Sequence, residues 1–159
     1  MTTPLAVTLR PVTRDNFEAV TDLELHPHQR EYLASNSYSI AQASFYPNYH
    51  TRAIYADEDI VGFMMFVVLD GVEDEEGEYS IWRFMVDRRH QGRGIGRSAL
   101  QALLDEIRSD PAACKVWISY VPGNAVASSF YASFGFVETE IDEDGEMVAM
   151  LDLTMQPAA

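Results

Sequence analysis

Arg88-Arg-His-Gln-Gly-Arg-Gly-Ile-Gly-Arg97 places four arginines and three glycines in ten residues of a chain whose formal net charge is −14. Glycine lets a backbone curl without a Cβ in the way, so its N–H groups can close on an anion. A helix starting here adds the positive end of its dipole, roughly half an elementary charge. The apolar run Ser80-Ile-Trp-Arg-Phe-Met-Val86 before it reads as a buried strand. Ser98-Ala-Leu-Gln-Ala-Leu-Leu-Asp-Glu-Ile107 after it reads as an amphipathic helix. Strand, glycine loop and helix together form a phosphate-binding arrangement.

Spacing narrows the type of loop. A Walker loop ends in Lys-Ser/Thr, but the only lysine is Lys115. The dinucleotide fingerprint fails because Arg97 stands where a third glycine is required after Gly92 and Gly94. What remains, Gln91-x-x-Gly94-x-Gly96, resembles the pyrophosphate loop of the GNAT superfamily of acyl-CoA-dependent N-acyltransferases, Gln/Arg-x-x-Gly-x-Gly/Ala.

The rest of the chain is read as one domain over residues 1–159, since 47% hydrophobic content supplies a substantial core. The pattern predicts a strand at Val7–Pro11, a helix from about Asp15 to Leu25 capped by Thr13, and a helix from about Gln29 to Phe45. Strands follow at 51–56 and 60–69 about the turn Asp57-Glu58-Asp59, and then at 79–86. A helix from about Gly94 to Ser109, a strand at 115–120 and a helix from about Asn124 to Phe134 come next. The end is a hairpin of 136–141 and 147–153. This order predicts an α+β fold with helices on both faces of the sheet. It matches the GNAT order, which implies a mixed, mostly antiparallel twisted sheet. Asn124-Ala-Val-Ala-Ser-Ser-Phe-Tyr131, closed by Gly135, adds a second resemblance, with Asn124 and Tyr131 seven apart on one helical face.

The resemblance implies acetyl-CoA as co-substrate and assigns roles. Tyr131 is the expected general acid for the departing thiolate, and Asn124 the contact to the pantetheine arm and catalytic water. Backbone N–H groups around Phe84, Met85 and Val86 polarise the thioester carbonyl. Gln91, Gly92, Arg93, Gly94, Ile95, Gly96 and Arg97 hold the pyrophosphate, with two of Arg88, Arg89, Arg93 and Arg97 expected to matter electrostatically. An acceptor ammonium of pKa about 10.4 must first lose a proton, at a cost of about 4 to 5 kcal/mol at pH 7. Some polyamine-acetylating relatives carry a strand acid nine residues before the loop's first Gln/Arg; here that residue is Trp82. Glu78, Glu24 or a water chain is left to act as base. His26 and His28 form an H-x-H pair with no third ligand in view, so no metal is expected.

For the acceptor, Leu23-Glu-Leu-His26, Ile60-Val-Gly-Phe-Met-Met-Phe66, Trp82–Asp87 and Asp144-Gly-Glu-Met-Val148 are similar to segments of bacterial spermine/spermidine acetyltransferases. That implies a polyamine or diamine. The acidic segments 70–78 and 138–146 agree, because negative surface steers a polycation inward. Other amines (a protein N-terminus, an amino acid, an aminoglycoside) remain alternatives, as does a non-catalytic acyl-CoA-binding regulatory module. A pI near 4.4 argues against nucleic acid. No apolar stretch reads as a signal peptide or membrane span. The single cysteine, Cys114, reads as a packing residue and points to the cytoplasm. A homodimer is left open.

Overall fold

The computed structural model describes residues 5–27, 34–69 and 76–155. Its elements are β1 (Val7–Pro11), α1 (Phe17–Thr21), α2 (Asn36–Phe45), β2 (Tyr49–Ala56), β3 (Asp59–Val68), β4 (Glu78–Val86), α3 (Ile95–Arg108), β5 (Lys115–Tyr120), α4 (Ala125–Ala132), β6 (Val137–Ile141) and β7 (Met147–Asp152). They form one sheet of order β1-β2-β3-β4-β5-β7-β6, antiparallel everywhere except between β4 and β5. The expected α+β class and mostly antiparallel sheet are what the chain adopts.

Two cores explain why β3 is an unbroken apolar run. A strand buried on both faces has no polar alternation to show. Met64 and Phe66 pack with Ile54, Ile81, Val116 and the α3 stripe Leu100, Leu103, Leu104 and Ile107. Phe63 and Met65 face the other way, against Val20, Leu23, Ala53 and Met85 on the side of α1 and α2. Phe130, Tyr131 and Phe134 bring α4 against the α3-side core.

The expected first helix, 15–25, is cut to Phe17–Thr21. The polar groups before it are spent locally: Asn16 Oδ1 accepts from the Thr13 N–H at 2.7 Å, and Asn16 Nδ2 donates to the Pro11 carbonyl at 3.1 Å. Beyond Thr21, tertiary bonds outcompete the helix. The Glu24 N–H donates to Asp87 Oδ2 at 2.9 Å, and the Arg88 N–H donates to the Glu24 carbonyl at 2.7 Å. The second helix starts at Asn36, where Ser35 Oγ accepts from the Tyr38 N–H at 3.1 Å. Ala34 and Ser35 are not helical, and residues 29–33 of the expected 29–45 helix lie outside the described residues.

The sheet parts in its middle, between β4 and β5. β4 and β5 pair only from Glu78↔Lys115 to Ile81↔Ile118. Immediately beyond, the β3–β4 register jumps from Phe66↔Ile81 to Met65↔Arg83, leaving Trp82 as an extra residue. A bulge bends its strand. β4 then runs on to Val86 and β5 to Tyr120 without pairing, and a notch opens between them.

Gly62 sets how closely β3 supports this bent strand. A Cβ there would meet the Met85 carbonyl oxygen at 2.5 Å and Ile54 Cδ1 at 2.8 Å. Gly62→Val should therefore cost about 1–3 kcal/mol, read as a drop of several degrees in Tm by calorimetry.

Candidate active site

The loop after β4 is built to leave N–H groups uncovered. Gly92 (φ 79°) and Gly94 (φ 78°) lie in the left-handed region, and a Cβ on either would enter open space with no atom within 4 Å. Gly94 is the N-cap of α3, and no side chain caps it. The first N–H groups of a helix have no intrahelical partner, so those of α3 are offered to whatever occupies the cleft. Gly96 lets the helix start close to the strand: its Cβ position is 3.9 Å from Phe84 Cζ and Val86 Cγ2. Gln91 Nε2 ties the loop to β4 by donating to the Val86 carbonyl at 3.0 Å.

A cleft of about 380 Å³ occupies the notch. It is lined by Leu25, Phe84, Met85, Val86, His90, Gln91, Gly92, Gly94, Ile95, Gly96, Val126, Phe130 and Tyr131. The Asp87 N–H donates to the Val61 carbonyl on β3 at 2.7 Å. Strand alternation then turns the N–H groups of Phe84 and Val86 the other way, into the notch. Tyr131 closes the far wall from α4, its ring stacked on Tyr120 at 5.6 Å and edge-on to Phe130 at 5.1 Å and Phe136 at 5.7 Å. Burial first, and the Tyr120 phenol second, hold its pKa well above the ordinary tyrosine value. The hydroxyl stays protonated and has no hydrogen-bond partner among the described residues.

A second pocket of about 320 Å³ abuts the first, and Leu25 and Met85 line both. Leu23, Glu24, Ser35, Asn36 and Arg83 also face it. Asn36 Nδ2 donates to the Val20 carbonyl at 3.0 Å and lies 3.8 Å from Met85 Sδ, so α2 is fastened to the pocket floor.

The expected site residues divide. Phe84, Met85, Val86, Gln91, Gly92, Gly94, Ile95, Gly96 and Tyr131 meet in the cleft. Arg93, Arg97 and Asn124 do not line it. Asn124 is the N-cap of α4, its Oδ1 accepting from the Ala127 N–H at 3.1 Å, so the shared helical face with Tyr131 does not exist. It faces a smaller pocket with Tyr120, Ser128 and Glu138. Glu78 lies at the opposite end of β4, about 20 Å from Phe84 at strand rise. There it accepts from Trp117 Nε1 at 2.7 Å. Glu24 lines the second pocket, but from the extended segment after α1 rather than from a helix, and Arg88 pairs with it at 3.1 Å.

The four loop arginines also separate. Arg88 is committed to Glu24 and Arg89 to Asp87. Arg93 contacts His90 Nδ1 at 3.0 Å, while Arg97 donates to Ser133 Oγ at 2.9 Å and lies over Phe134. Only this second pair retains charge not matched by a carboxylate. Of the H-x-H pair, His28 is outside the described residues. Among the described residues no three His, Cys, Asp or Glu side chains gather to hold a metal, and no helix is long and apolar enough to cross a membrane.

Sequence reasoning misses Asp87, whose one signal is an acid placed directly before an arginine run. It is 1% exposed. Oδ1 accepts from the Arg89 N–H at 2.9 Å and from Arg89 Nε at 2.8 Å, while Oδ2 accepts from the Glu24 N–H at 2.9 Å. One carboxylate thus joins the wall of the second pocket to the start of the glycine loop. Burial alone would raise its pKa, but the bonds from Arg89 and the two backbone N–H groups outweigh burial and lower it.

Asp87→Asn turns one acceptor into a donor facing N–H groups. It should destabilise the fold by about 1–3 kcal/mol. Because the folded-state pKa is depressed, the stabilisation is complete above the ordinary aspartate value of about 3.9 and is lost as pH falls through the folded value. Urea unfolding should therefore show the deficit in full at neutral pH and a narrowing gap in acid.

A family model described as "Acetyltransferase (GNAT) family" matches residues 17–136. Spermine/spermidine N(1)-acetyltransferase of Bacillus subtilis (strain 168) is 28% identical over 152 residues, covering 94% of this chain and 100% of the relative. The [ribosomal protein bS18]-alanine N-acetyltransferase of Salmonella typhimurium is 29% identical over 112 residues, 67% of this chain and 70% of the relative. The fold is that of aminoglycoside acetyltransferase AAC(6')-Ib solved with coenzyme A, at a TM-score of 0.74, 20% identity and coverage of 94% and 96% of the two chains. With the family model spanning most of the chain and the cleft built as described, this protein belongs to the GNAT family of acetyltransferases.

Proposed function

We propose that the protein transfers the acetyl group of acetyl-CoA to a primary amine of a polyamine or diamine. The observation that carries this reading is the convergence, in one cleft, of three donor sets: the uncapped α3 N-terminus, the notch-facing N–H groups of Phe84 and Val86, and the protonated Tyr131 hydroxyl. The loop and helix N–H groups suit a pyrophosphate. The β4 N–H groups suit a carbonyl oxygen that gains negative charge, a contribution often worth several kcal/mol. Tyr131 suits a departing thiolate, which needs one proton as the C–S bond breaks and the N–C bond forms.

Two observations support a polycationic acceptor. The first is the Bacillus subtilis relative. The second is the placement of acid. Met147 pairs with Tyr120 at the end of β5, so the turn carrying Asp142, Glu143, Asp144 and Glu146 stands at the notch end of the sheet. Asp142 Oδ1 accepts from the N–H groups of Asp144 and Glu146 at 2.9 Å each, which shapes that turn. Of the other acidic segment, Glu78 stands at the far end of β4, away from the cleft, and residues 70–75 lie outside the described ones.

A thiol-release assay with acetyl-CoA should report turnover with spermidine, spermine or short diamines in preference to amino acids, peptides and aminoglycosides. No release with any acceptor would sink the enzymatic reading. Tyr131→Phe should lower turnover about 10²–10⁴-fold with acetyl-CoA affinity retained. Gly94→Val, at a left-handed position facing the open cradle, should abolish acetyl-CoA binding in calorimetry; unchanged affinity would remove the loop from the donor site.

A further inference from the structure

An acceptor amine must be neutral to attack; of the two carboxylates suspected of neutralising it, one lies away from the pocket and the other lines it already paired with an arginine. Glu78 is at the other end of β4, and Glu24 is held by Arg88. What the acceptor-side pocket does hold is a cation. Arg83 stands two residues before Met85 on the same face of β4, and Met85 lines both the pocket and the cleft. Its Nε donates to Ser39 Oγ at 3.2 Å and its Nη1 to the Trp82 carbonyl at 2.8 Å, so both partners are neutral. No described carboxylate lies within ion-pair distance of it. Among the described residues, charged and titratable groups face it from three directions. Tyr38 of α2 and Glu146 of the β6–β7 turn act on it only through space. Glu24, from the segment after α1, and Asp87, at the end of β4, are spent on Arg88 and Arg89.

Resting on the amine-acetyltransferase reading above, we propose that Arg83 takes the place of a general base, its guanidinium disfavouring the ammonium form of the acceptor nitrogen and so holding that nitrogen neutral. A like charge within about 4–6 Å disfavours a second positive charge, and a neighbouring cation is a general means of freeing an amine lone pair. The first proton leaves the ammonium to solvent on binding. The neutral nitrogen then forms the N–C bond, the C–S bond breaks, Tyr131 protonates the sulfur, and the second nitrogen proton passes to solvent, from which Tyr131 is restored. A polyamine's remote ammonium, attracted to the acidic turn 142–146, supplies the binding energy that offsets the repulsion at the reacting end. The same division of charge orients the substrate, since acids would favour the charged form of the amine they touch.

The test is the pH dependence of the single-turnover rate at saturating spermidine, which reports the bound complex. In the wild-type protein the acidic limb should fall at least one pH unit below the pKa of the free amine; a limb at the free-amine value overturns the proposal without any variant. Arg83→Met should reduce the rate about 10- to 100-fold at pH 7, with the deficit closing as the pH approaches 10. Arg83→Lys should restore the wild-type profile. A weakly basic amine already neutral at pH 7 should react with Arg83→Met and wild type alike, within about twofold, and acetyl-CoA affinity should not change. A loss equal at every pH and for both acceptors would mark a structural role, and a loss confined to carboxylate-bearing amines would mark an anion anchor; either overturns the proposal. Absence of turnover with every amine in the wild type would instead sink the enzymatic reading itself.

Discussion

The parting of β4 from β5 after Ile81 is the constraint on which the rest of the site depends. A sheet that stayed paired would satisfy the N–H groups of Phe84 and Val86 with β5, and nothing could bind there. The Trp82 bulge bends β4 out of the ladder while β3 keeps its hold on the other edge. The freed edge is not left bare at every position: Gln91 takes the Val86 carbonyl, so at Val86 the group left to a ligand is the N–H donor. The strand that builds the wall of the cleft also carries Met85 and Arg83 into the adjoining pocket. One local irregularity therefore shapes both the cleft and the pocket beside it.

Charge is organised around the same strand. In a chain of net charge −14, the loop arginines nearest β4 are neutralised in place by Glu24 and Asp87, whereas Arg93 and Arg97 are left toward the helix start. Asp87 is worth most to the assembly because it accepts from both sides of the boundary between the pockets. A shift of the glycine loop and a shift of the Leu23–Leu25 wall are thereby mechanically joined through one shared carboxylate.

The elements with long, regular patterns are legible in the sequence itself. The α3 stripe and the two-sided apolar run of β3 declare themselves through period and composition, and the spacing of Gln91, Gly94 and Gly96 resembles a family loop. The departures share one cause. The expected helix over 15–25 loses its second half because Glu24 finds partners more than sixty residues away on Asp87 and Arg88. Helical spacing puts Asn124 on one face with Tyr131, whereas in the structure it stands before the helix as the N-cap of α4. Glu78 is near the loop in sequence, whereas along a strand six residues span about 20 Å.

By itself the sequence determined the element order, the apolar faces, the glycine loop and the presence of Tyr131, because periodicity, glycine spacing and residue type are local properties. The tertiary structure decided which polar groups share a space. It put Arg83 beside the paired Glu24 in the pocket next to the cleft, buried Asp87 between two loops, and brought one acidic turn to the notch while leaving Glu78 at the far end. Those outcomes depend on strand register and on where β4 and β5 separate, and both are set by pairings between distant segments that no local pattern encodes.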